Sequence, residues 1–105
     1  MSKLGQTIAE ARKAKLLSQK ELAARITKED GSSISPQFVN DIERDRRAPS
    51  ELVIRKLAAE LGLDPDRLCL LTGVVPNDLV DPIAAAPPEI VTNAFRIFRR
   101  KIKPR

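Results

Sequence analysis

The chain has 105 residues, 42% of them hydrophobic, which suits one packed domain with a short appendage rather than a disordered tail. Its net charge of +5 and pI near 9.8 favour an acidic partner such as nucleic acid. With no His, one Cys and four scattered Gly, it has too few ligands for a zinc site and no partner for a disulfide. The same count leaves no Ser-His or Cys-His nucleophile and no glycine-rich phosphate loop, so no metal, cofactor or enzymatic activity is expected. No apolar run approaches the roughly 20 residues that span a bilayer, and no signal peptide is expected, which points to the cytoplasm.

Apolar residues recur at helical rather than strand intervals throughout. Leu4, Ile8 and Ala11 predict a first helix from about Ser2 to Ala14. In "LLSQKELAARI", Ser18 is an N-cap and Glu21, three residues on, completes a capping box. Leu22, Ala23 and Ile26 form the inward stripe of this second helix. Gly31, in the polar run KEDGSS, is the natural point of chain reversal. Ser35 caps a third helix with Pro36 at its first position and Val39 and Ile42 turned inward. Ser50 opens a fourth, striped by Val53, Leu57, Ala58 and Leu61 and stopped at Gly62. Asp64-Pro65 opens a fifth, with Leu68 and Leu71, ending at Gly73.

Composition changes at Val74. "VVPNDLVDPIAAAPP" holds four of the eight prolines, so residues 74–88 are predicted to be a Pro-rich linker wrapping the domain, with at most a brief turn near Pro76. A basic amphipathic helix follows, from Pro88-Glu89 to about Lys101, within an appendage of residues 89–105. Ile90, Val91, Ala94, Phe95, Phe98 and Ile102 form its apolar face, amid Arg96, Arg99, Arg100, Lys101 and Lys103. Such a face must be buried, on the domain or against a partner subunit. A basic arm lending phosphate contacts is compatible with either, and membrane-surface binding is a third use of a cationic amphipathic helix.

The ordered set of Gln19 after Ser18, Leu22-Ala23, Ile42-Glu43-Arg44, Pro49-Ser50, Leu57-Ala58 and Leu61-Gly62 resembles the Cro/repressor-type (XRE-like) helix-turn-helix family over residues 4–73. That resemblance implies an all-α, five-helix, lambda-repressor-like DNA-binding domain over residues 1–73, followed by the C-terminal helix. It places base-reading positions at Ser35 to Gln37 and at Asn40-Asp41, and a phosphate contact at Gln19. Gln and Asn can each pair bidentately with adenine, so Gln37 leads and Asn40 follows. Phe38 would meet a thymine methyl or pack within the domain. Asp41 would accept from cytosine or orient Arg44 or Arg46. Glu43 is better suited to pairing with an arginine of its own domain. Arg44, Arg46 and Arg47 after the helix, with Lys20, are placed to clamp phosphates.

Two departures from the family pattern stand out. The interval from Leu22 to Glu43 is about six residues longer than usual, and KEDGSS is the insertion. Asp45 occupies a position where glycine is usual and positive φ is often needed. The expected function is a transcriptional regulator, a repressor or autoregulator that binds duplex DNA as a homodimer through its C-terminal region. The alternatives are an antitoxin-like or phage regulator acting chiefly through a protein partner, and a nonspecific nucleoid-type binder.

Overall fold

In the computed structural model, residues 3–103 form seven helices joined by short connections. They are α1 (Leu4–Ala14), α2 (Gln19–Ala24), α3 (Pro36–Glu43), α4 (Glu51–Leu61), α5 (Pro65–Leu70), α6 (Asn77–Ala85) and α7 (Pro88–Ile102). Ser2, the expected start of the first helix, lies outside the described residues. Four of the helix starts expected from the sequence carry side-chain caps. Ser18, Ser35, Ser50 and Asp64 accept the backbone N–H of Glu21, Phe38, Val53 and Asp66, satisfying donors that a helix leaves open at its first turn. At α2 the capping box is complete, since the Glu21 carboxylate also accepts from the Ser18 N–H at 2.9 Å. The Ser18 backbone bond, with that from its hydroxyl, holds the Glu21 carboxyl below its ordinary value.

The core is built from α1 to α5. Ile8, Leu22, Ile26, Ile42, Ile54, Leu57 and Leu68 are fully buried, and Val39 and Val53 nearly so. Each contributes roughly 1.5–3 kcal/mol relative to exposure. The extensive packing joins α1 with α3 and α4, α2 with α3, and α4 with α5. Gly5 is where α1 meets α3 most closely: a Cβ there would collide with the backbone carbonyls of Glu43 and Ile42. Side chains larger than hydrogen would force the two helices apart.

Two helices end in Schellman motifs with a side-chain-bearing residue in the left-handed region. After α1, Leu17 N–H bonds Arg12 O and Leu16 N–H bonds Lys13 O, with Leu16 at φ 58°. After α3, Arg46 N–H bonds Asp41 O and Asp45 N–H bonds Ile42 O, with Asp45 at φ 57°. Leu16 is 89% exposed, so its side chain contributes little packing to offset that backbone cost. Leu16→Gly is therefore expected to raise stability by about 1 kcal/mol in urea unfolding. An unchanged midpoint would mean that the strain is relieved in solution.

The insertion between α2 and α3 is folded. Thr27 and Ser33 form an isolated antiparallel bridge, Lys28 N–H bonds Ser32 O at 2.7 Å, and Gly31 turns the chain at φ 86°. Asp30 accepts from both the N–H and the hydroxyl of Ser32, which hold its carboxyl low. Lys56 of α4 donates to the Thr27 carbonyl at 3.1 Å and to its hydroxyl, pinning the base of the turn. Glu29, whose carboxyl is held low chiefly by the Ser50 hydroxyl, leans to the start of the same helix.

Residues 74–88 differ from the expected linker. They hold a nine-residue helix, α6, with Pro82 inside it. Pro76 precedes it and Pro87 follows it, so only Pro82 falls within, where it removes the bond that an N–H would make to Asp78. The start of α6 is anchored: Asn77 N–H donates to Glu51 at 2.9 Å, and Arg55 reaches Glu51, Asp66 and Asp78 at 3.1, 3.5 and 3.7 Å. Partial burial pushes the Glu51 carboxyl up, but the Asn77 N–H and Arg55 together hold it below its ordinary 4.5. Its contribution is thus present above pH 4.5 and is lost as pH falls through the lowered value. Neither α6 nor α7 contributes a buried residue among those described, and the apolar face of α7 is largely open to solvent.

Candidate nucleic-acid interface

α3 presents a polar stripe. Gln37, Asn40, Asp41 and Arg44 follow one another at helical neighbour spacing, opposite the buried Val39 and Ile42. Ser35 is exposed at the head of the helix, its hydroxyl engaged as the cap of Phe38 N–H at 3.0 Å. Gln37 is exposed and donates to Asp41 at 2.9 Å. The Asp41 side chain is therefore partnered from its own helix by Gln37. Asn40 is half-buried and accepts from Gln19 Nε2 at 3.3 Å. Phe38 is half-buried against the core, and Arg47 lies over its ring at 4.4 Å from the centroid. Lys20, Arg44 and Arg46 are exposed. Arg46 and Arg47 also line a shallow hollow of about 220 Å³ with Leu4, Asp45 and Thr72.

What holds α3 in place is a polar junction at its C-terminal end. Glu43 receives a two-pronged bond from Arg12, with Nε to Oε2 at 2.6 Å and Nη2 to Oε1 at 3.1 Å. Arg12 also donates to the Leu17 carbonyl at 2.8 Å, and Gln19 Nε2 donates to Glu43 Oε1 at 2.9 Å. Side-chain exposure is only 11% for Arg12 and 8% for Glu43, so water screens this pair weakly. One carboxylate thereby ties α3 to both α1 and α2. Gln19, expected at phosphate, spends its amide on α3, at Asn40 and Glu43.

Asp45 completes the junction. Its carboxylate accepts the Gly5 N–H at 3.1 Å, at the start of a helix with no acidic residue in its first turn and no cap from Lys3. The aspartate tolerates positive φ and supplies the negative charge that a helix N-terminus favours, a combination glycine could not provide.

Arg12 is the functional support that sequence reasoning missed. The signal was present, because Leu4, Ile8 and Arg12 share one face and a charged residue on an inward stripe implies a buried partner.

A short polar helix, braced at one end by two others and followed by exposed arginines, defines a DNA-binding helix-turn-helix unit. Residues 8–68 match a family model described as Helix-turn-helix (HTH_3), and the chain belongs to that family, in its Cro/repressor (XRE-like) type. It is accordingly a DNA-binding regulator. No match is found among curated proteins or among solved structures. Among the described residues, no helix is long and apolar enough to cross a membrane.

Proposed function

We propose that the protein is a sequence-specific transcriptional repressor or autoregulator, not an enzyme, acting in the cytoplasm as a homodimer. In this reading two copies of α3 enter successive major grooves about 34 Å apart on a partly palindromic site. The observation that carries it is the outward stripe of Gln37, Asn40, Asp41 and Arg44 on a helix whose other face is locked in the core. Gln37 would exchange Asp41 for a base edge, and Asn40 would have to release Gln19 before reading adenine through both amide atoms. Gln19 is held by Glu43 as well, at 2.9 Å, and would have to give up that bond too before its amide reached the phosphate backbone. Lys20, Arg44, Arg46 and Arg47 supply the remaining phosphate contacts, and promoter occlusion follows from occupancy.

Selection of binding sites from random duplexes tests this reading: two related half-sites one helical turn apart are expected, and a failure to enrich any sequence would leave only nonspecific binding. Gln37→Ala should lower discrimination at one base pair of each half-site by about 1–3 kcal/mol. Equal affinity for the selected site and its single-base variants in both proteins would remove Gln37 from the readout. A second reading, a regulator acting chiefly through a protein partner, is supported by the open apolar face of α7, with Phe98 47% and Ile102 58% exposed.

A further inference from the structure

The C-terminal third of the chain builds a groove that the chain itself leaves open. One wall comes from Leu70 at the end of α5, Val75 in the connection, and Leu79 and Ile83 of α6; the other is the Phe95 and Phe98 face of α7. Its volume is about 310 Å³, and among the described residues Asp66 is the one charged residue lining it. An apolar cavity of roughly 150 Å³ accepts a benzene ring, so this groove has room for two aromatic side chains. Leu79, Phe95 and Phe98 are all more than 40% exposed around it.

Charge separates the possible occupants. Along α7, Val91, Phe95, Phe98 and Ile102 recur at intervals of four, three and four, the spacing of a helix-pairing seam. Arg99 and Lys101 flank that seam, Arg96 and Arg100 lie beyond, and Glu89 is the sole acid of the helix. A bare pair of α7 helices therefore opposes like charges along its edges, which disfavours pairing. α6 has the opposite balance, with Asp78 and Asp81 and no base. Asp66 and Asp78 each meet Arg55 yet remain 65% and 75% exposed, so both still face solvent.

We propose that this groove seats α7 of a second copy of the chain, exchanged reciprocally about a two-fold axis. The inference rests on the homodimer reading above and specifies its interface. Each incoming α7 brings Phe95 and Phe98, the two rings the groove can hold, and lays its bases on the partner's Asp66, Asp78 and Asp81. An isologous contact of this kind uses the same two surfaces twice, covering both apolar stripes at once. Because Glu51 and Arg55 anchor α6 to α4, the interface is fixed to the DNA-binding domain rather than hung from a tether. The separation of the two recognition helices is then set by the exchange.

Sedimentation equilibrium of the full chain, Phe98→Glu and Leu79→Glu tests this. Both side chains lie outside the buried core, so both variants should keep the wild-type helicity, with the melting temperature lowered only by the share that dimerisation supplies. The wild type should be dimeric, and each variant should associate at least ~100-fold more weakly, since either substitution puts a charge into the apolar groove. Loss of the dimer in Phe98→Glu but not in Leu79→Glu would mean that α7 pairs only with α7, overturning the exchange. A dimer that survives both substitutions would place the interface elsewhere, leaving the homodimer reading intact while this assignment fails. A monomeric wild type would end both.

Discussion

Glu43→Ala is expected to destabilise the domain by about 3–5 kcal/mol, because it leaves the Arg12 guanidinium in the interior without its counter-charge. The pair is nearly sealed from water, its geometry is two-pronged, and the carboxylate also receives Gln19. A domain of this size has about 5–15 kcal/mol of total stability, so the loss would consume a large part of it. Replacing both partners with apolar residues, as in Arg12→Met with Glu43→Leu, should restore much of the loss, since no charge then remains buried. Urea unfolding of the single and double variants measures this directly. A single-variant cost below about 1 kcal/mol would show that the guanidinium escapes to solvent. The functional corollary is orientation: the junction binds the end of α3 to α1 and α2, so a variant that still folds should present the recognition helix less uniformly and lose specificity along with stability.

The second large effect concerns DNA rather than folding. Replacing Arg46 and Arg47 together by alanine is expected to weaken binding to all duplexes alike, by on the order of 3 kcal/mol or ~100-fold, as charge-assisted contacts to two phosphates are lost. The slope of log affinity against log salt should fall in magnitude by about 2, one unit for each phosphate no longer neutralised. Arg46 is free of the core, so its loss should leave melting unchanged, whereas Arg47 also covers the Phe38 ring. Arg47→Ala should therefore cost about 0.5–1 kcal/mol in stability beyond its effect on DNA, the usual range for an exposed cation on an aromatic face. A drop in affinity confined to one base pair, with the salt slope intact, would instead make one of these arginines a base reader.

Legibility followed the range of the interaction. Each of the caps at Ser18, Ser35, Ser50 and Asp64 concerns a side chain and a backbone N–H two or three residues away, so all four were readable in the sequence. The inward stripes were readable for the same reason, since Leu22, Val39, Ile42, Leu57 and Leu68 repeat at the helix period and are all buried. Segments dominated by a single strong rule were read less well. Four prolines from Val74 to Pro88 suggest a linker, yet Pro82 alone interrupts a helix interior, Pro88 takes the first position of α7, and contacts from Glu51 and Arg55 hold the start of α6 in place.

The helical class, the capped helix starts and the helix-turn-helix family follow from the residues alone. All of these rest on local periodicity, capping or composition. Helix packing settles which arginine meets Glu43, that Asp45 caps α1 from 40 residues away, and that Lys56 closes the inserted turn. Each of those contacts joins groups brought together by the packing of separate helices; a charged residue on an inward stripe implies a buried partner, but its spacing does not say which residue of another helix will meet it. The open stripe of α7 is of the same kind: its amphipathic pattern says that the face must be covered, and only the shape and charge of the α5–α6 wall say by what.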